Sequence, residues 1–123
     1  FIFWGDKDKI KIILRNILTN AIESIKGQGT IKIFAKALSD KIELKITDTG
    51  TGIEKEMLTR IFEPYFSSKD SGTGLGLPIA KKIIEDHGGS IRAYPNEPKG
   101  LCILITLRLP SAASTNFQSR NRT

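Results

Sequence analysis

Three groups of residues have types and spacings that suit chemistry. Gly72, Gly74 and Gly76 alternate just ahead of an amphipathic run, in KDSGTGLGLPIAKKII over residues 69–84. Alternate glycines let a ligand approach the backbone without meeting a Cβ. A loop of this kind feeding a helix N-terminus presents unpaired N–H groups and a positive dipole end, which suit phosphate oxygens. The spacing alone is equally compatible with a plain glycine-rich turn. Two familiar phosphate loops are excluded. No GxxxxGK[ST] string is present, and SSKDS precedes the glycines where a dinucleotide fingerprint needs a strand.

The second group is centred on Asp48. Residues 41–47 alternate, with Ile42, Leu44 and Ile46 on one face, and the next position on that face is Asp48. A carboxylate aimed at the core side needs a donor, because burying it alone is costly. Thr49-Gly50-Thr51-Gly52 follows, a turn that a flat ligand can approach closely. An inward Asp beside glycines suits an amino-heterocycle such as adenine; the ordinary alternative is an Asx-turn or a helix cap. The third group is Asn16 and Asn20, four apart on one helix face with Lys9 and Glu23 beside them. Asn is a poor helix former, and its carbonyl oxygen is a good ligand for a hard cation. A polar helix edge is the alternative. Lys69 suits either a phosphate or solvent, and His87 reads as a residue favoured by a helix C-terminus, not as a catalyst.

The elements that position these groups follow from apolar period and turn chemistry. Residues 1–4 read as a strand, and Asp6 as the N-cap of a helix running to about Lys26, ended by Gly27 and Gly29. Its apolar arc is Ile10, Leu14, Ile17, Leu18, Ala21 and Ile25. Residues 30–37 and 41–47 form a hairpin across Ser39-Asp40. Residues 53–62 read as a short helix stopped by Pro64, followed by a Ser-rich loop. The helix after Gly76 ends near Gly88, and residues 90–94 and 101–109 are strands. In the last strand Leu101, Ile103, Ile105, Leu107 and Leu109 share a face opposite Cys102 and Leu104. Residues 111–123 read as a disordered tail.

The 123 residues suffice for one domain, with 39% hydrophobic and 26% charged residues. No apolar stretch is long enough to span a membrane, and no signal peptide opens the chain. The apolar start without Met reads as an excised domain. Cys102 alone allows no internal disulfide, which points to a reducing, cytoplasmic setting. The net charge of +6 comes from dispersed lysines plus Arg120 and Arg122. No basic block is interleaved with aromatics, which speaks against nucleic acid.

In order, NILTNAIES, DTGTGI, FEPYFSSK, GTGLGL and EDHGGSI resemble the ATP-binding catalytic domain of bacterial sensor histidine kinases. That domain belongs to a superfamily shared with DNA gyrase, mismatch-repair ATPases and heat-shock chaperones. The likeness covers about residues 1–110, and its wording is nearest the nitrogen-regulatory kinases. It implies an α/β sandwich, a mixed, mostly antiparallel sheet of about five strands with three helices on one face. It implies that Asn20 holds Mg²⁺ with Asn16 in support, and that Asp48 accepts from the adenine amino group. Gly50, Gly52 and Ile53 would shape the adenine pocket, under a lid over residues 62–72. Lys69, Gly72, Thr73, Gly74, Leu75 and Gly76 would meet the phosphates.

ATP-hydrolysing relatives carry Glu at the Asn16 position, so slow water attack is implied, with phosphoryl transfer to a histidine on a separate dimerisation domain. A response-regulator receiver domain would be the further partner, and the parent a homodimer that is possible to anchor in a membrane. An anti-sigma-type serine-protein kinase and a non-catalytic nucleotide sensor are the alternatives. Two departures from the family stand out: Glu23 where Lys is frequent, and Gly100-Leu101-Cys102-Ile103, which lacks a second glycine and a hydroxyl.

Overall fold

The spacing of apolar side chains accounts for most of the architecture. A computed structural model describes residues 7–64, 66 and 76–108. The expected strand at 1–4, the Asp6 cap and the tail from 111 lie outside those residues. Helix α1, Lys7–Ser24, buries Ile13, Ile17 and Ala21, four apart and therefore on one face. Ile10, Leu14 and Leu18 flank this stripe, partly buried. The helix stops earlier than the expected Lys26. Ser24 Oγ turns back to donate to the Ala21 carbonyl at 2.9 Å, and Gly27 takes φ of +87°.

Two hairpins supply the sheet. Strands β1 (Ile31–Ala37) and β2 (Lys41–Asp48) form the first, and β3 (Ser90–Pro95) and β4 (Leu101–Arg108) the second. Their order is β1-β2-β4-β3, and every neighbouring pair is antiparallel. The expected sandwich is present, with four antiparallel strands among the described residues where about five in a mixed sheet were expected. The inner strands β2 and β4 turn Ile42, Ile46, Ile103, Ile105 and Leu107 towards the helices, all buried. Each such side chain contributes on the order of 2 kcal/mol relative to exposure. At the edge, β1 is exposed along nearly its whole length.

On the opposite face of the sheet, register places Lys32, Lys36, Lys41, Lys45, Arg92 and Arg108, against one carboxylate among the described strand residues, Glu43. Lys45 Nζ lies 5.1 Å from the centre of the exposed Phe34 ring. Charges on this face and edge discourage pairing with other sheets.

Helix α2, Gly76–Asp86, buries Leu77, Ala80 and Ile84. Ile79, an apolar residue of the amphipathic run, is exposed, because the 77/80/84 stripe turns position 79 away. The helix ends in a Schellman motif. Gly89 N–H donates to the Ile84 carbonyl at 2.9 Å and Gly88 N–H to Glu85 at 3.0 Å, with Gly88 at φ +78°. His87 Nδ1 lies 2.8 Å from the Ile83 carbonyl, the helix-end role expected for it.

The helix expected over 53–62 is instead a 3₁₀ turn, Lys55–Met57, continued by further turns. Its bonds run three residues back, as from Met57 N–H to Glu54 and from Arg60 N–H to Met57, both below 3.0 Å. So short a segment gains few α-type bonds against the cost of nucleation, and Ile61 anchors it to the core instead.

Candidate functional site

Strand alternation carries Asp48 inward as the sequence requires, and it is only 4% exposed. Its Oδ1 accepts the Gly50 N–H at 2.8 Å and the Leu101 N–H at 3.2 Å. The first is a local Asx-turn, the ordinary alternative for this residue. The second comes from β4, far along the chain, and no local turn explains it. Both bonds use Oδ1, and no buried side-chain nitrogen or oxygen among the described residues lacks a partner. Oδ2 takes neither of these two backbone bonds.

The loop after Asp48 is held from two sides. On one side lies the end of α1. Thr51 N–H donates to the Ser24 carbonyl at 3.0 Å, satisfying one of the orphan acceptors of the helix C-terminus. Gly50 packs so closely on Ser24 that a Cβ there would run into its hydroxyl and carbonyl. On the other side lies the β3–β4 loop. Gly100, at φ +106°, sits against the Asp48 carbonyl, where a Cβ would collide with backbone. Asn96 Nδ2 donates to that same carbonyl at 2.8 Å, and its own N–H reaches the Gly100 carbonyl at 3.0 Å.

Along α1, Asn16, Asn20 and Ser24 are four apart, on one side of the buried stripe. Asn16 faces the start of α2: a Cβ placed on Gly76 would sit 3.5 Å from Asn16 Oδ1. Ser24 meets Gly50 two turns away, about 12 Å along the axis. Asn20, partly buried, stands between these two contacts. The helix thus spans from the first residue of α2 to the carboxylate loop, with amide side chains between.

Of the expected site residues, Asn16, Asn20, Asp48, Gly50, Gly52 and Gly76 are brought to this one region. Ile53 packs, partly buried, against the core. Lys69, Gly72, Thr73, Gly74 and Leu75, with most of the expected lid, lie outside the described residues. Sequence reasoning missed Ser24, Asn96 and the Leu101 amide. Gly100 stood out in the sequence with Leu101 and Cys102 as a departure from the family's last glycine motif, but nothing local says which loop it packs against. Cys102 lies on the opposite face of β4 and is not part of this region. Burial pushes its thiol pKa above the ordinary value, partly offset by Lys45.

The family model described as histidine kinase-, DNA gyrase B- and HSP90-like ATPase matches residues 5–112. Sensor histidine kinase ZraS of Salmonella typhimurium is 44% identical over 84% of this chain and 22% of its own length. Nitrogen regulation protein NtrY of Azorhizobium caulinodans is 37% identical over 94% of the chain and 16% of its own. The chain thus spans about a fifth of the length of these curated relatives. Among solved structures, the mycobacterial sensor histidine kinase MprB superposes with a TM-score of 0.80 at 30% identity, covering 86% of this chain and 76% of that one. The catalytic domain of histidine kinase ThkA gives 0.77 at 38% identity, covering 85% and 68%. Full-length ShkA in complex with AMPPNP gives 0.73 at 25% identity, covering 84% and 22%.

Proposed function

The chain belongs to the histidine kinase-, DNA gyrase B- and HSP90-like ATPase family, and from that premise we propose that it binds Mg-ATP and passes the γ-phosphoryl group to a histidine on a separate helical dimerisation domain. Residues 1–110 are then the nucleotide-binding catalytic domain of a two-component sensor kinase. The histidine domain and a response-regulator receiver domain are its partners, and the parent is a homodimer. No described helix is long and apolar enough to cross a membrane. On this reading the domain works in the cytoplasm.

The observation that carries this reading is the inward carboxylate of Asp48, whose Oδ1 is taken by two backbone amides. On this reading an adenine amino group donates to Oδ2. The complex of ShkA with a nucleotide analogue, on the same fold, supports the ligand class.

At the other end, the amide oxygen of Asn20 suits Mg²⁺. No group of three or more His, Cys, Asp or Glu among the described residues could hold a metal by itself. A cation held by one amide and by the phosphates of its own substrate fits that donor set. When bound, Mg²⁺ neutralises charge on the phosphates. Asn16 supports this end beside Gly76, and Lys69 with Gly72, Thr73, Gly74 and Leu75 complete the phosphate cradle. Gly50, Gly52 and Ile53 line the base. Because an amide cannot take a proton near neutral pH, Asn16 does not activate water. The chain's part is positioning, and the nucleophile comes from the partner.

The test supplies the chain with labelled ATP, Mg²⁺ and a helical histidine domain from a relative. Acid-labile label on the histidine is expected, reduced about tenfold or more in Asn20→Ala. Label on serine of a protein partner would favour the anti-sigma type. Tight nucleotide binding without transfer to any acceptor would overturn the kinase reading in favour of a sensor.

A further inference from the structure

The β3–β4 loop and the first residue of β4 are far in sequence from Asp48, yet they make three separate contacts with it. The Leu101 N–H fixes Oδ1. Asn96 Nδ2 holds the main-chain carbonyl of the same residue. Gly100 sits against that carbonyl, where a Cβ would collide, at a left-handed φ that favours glycine. The Asn96 N–H to Gly100 carbonyl bond closes the loop on itself, so the side chain and both backbone contacts move together. Gly52 also approaches the Gly100 backbone.

From this we propose that Asn96 is a positioning residue for base recognition: it clamps the Asp48 backbone so that Oδ2 points at the base edge, and it thereby sharpens the choice of adenine over guanine. The proposal rests on the nucleotide reading given above. Adenine presents an amino donor where guanine presents a carbonyl oxygen. A carboxylate held in one orientation rewards the first and repels the second, whereas one free to swing discriminates less. Asn96 does not touch the nucleotide. It acts through Asp48.

Calorimetric titration of the whole chain with ADP and with GDP tests this in the wild type, Asn96→Ala and Asn96→Asp. Asn96→Asp keeps the shape but cannot donate to the Asp48 carbonyl while ionised. Both variants are expected to bind ADP about five- to tenfold more weakly, as for one lost hydrogen bond, with GDP affinity nearly unchanged. A purely structural role would lower both affinities together, and an unchanged ADP-to-GDP ratio would overturn the proposal. Hydrogen exchange of the Leu101 amide, measured without nucleotide, separates the two levels. Faster exchange in the variants is expected even if no nucleotide binds, and unchanged exchange would overturn the clamp. Failure of the wild type to bind either nucleotide would sink the nucleotide reading and with it the choice of base, while leaving the exchange result to judge the clamp.

Discussion

The two ends of the candidate site are built differently. At the Asp48 end, backbone amides, carbonyls and glycines from three parts of the chain converge on one buried carboxylate. At the α1–α2 end, partly buried Asn16 faces the start of α2, with partly buried Asn20 one turn further along the same side of α1. The first end is fixed by main-chain bonds and by contacts too close for any side chain. The second has room: the nearest neighbour of a Cβ on Gly76 is an ordinary van der Waals distance away. A rigid end suits the choice of a flat ligand by its edge. A looser end of amide side chains suits charge that is rearranged during transfer.

This contrast can be broken most forcefully at Gly100. Gly100→Ala forces a Cβ into the Asp48 carbonyl and strains a positive φ, so roughly 3 kcal/mol or more of stability should be lost. Denaturant unfolding measures this, and a loss below 1 kcal/mol would show the loop to be less tightly packed than described. Next in size is Asp48→Asn. The amide can still accept the two backbone bonds through its oxygen but presents NH₂ where Oδ2 was. ADP affinity should fall about tenfold or more in titration while the fold is kept. Equal affinity would remove Asp48 from base recognition. The smallest effect is expected at the other end. Gly76→Ala adds a Cβ in ordinary van der Waals contact with Asn16 at the first residue of α2, and stability should stay within about 1 kcal/mol of the original, if anything rising. A large loss in the melting curve would mean that the two helix faces meet more tightly than the Asn16 contact indicates.

Much of this was legible in the residues. The period-two run that ends in Asp48 required an inward carboxylate, and the burial of Ile42, Ile46 and Asp48 bears it out. The 3.6-residue period located both α-helices, and the glycines after His87 marked the end of the second. Less legible was the segment over 53–62, whose apolar spacing suits a helix. There, one buried anchor at Ile61 and a string of three-residue turns prevailed over the period. Ile79 stays exposed for a related reason: a short helix buries a narrow stripe, and an apolar residue outside it remains in solvent.

What the sequence by itself determined is whatever repeats locally: which face of a strand or helix each residue occupies, and hence that Asp48 points in and that Asn16 and Asn20 share a side. Local period depends only on backbone geometry, so a single strand or helix displays it. Only the tertiary structure decided that the Asn96–Gly100 turn closes on Asp48, that Ser24 seats the glycine loop, and that lysines scattered along the chain gather on one face of the sheet. Those outcomes depend on strand order and register between segments far apart in the chain, and pairing at a distance leaves no periodic trace in either partner.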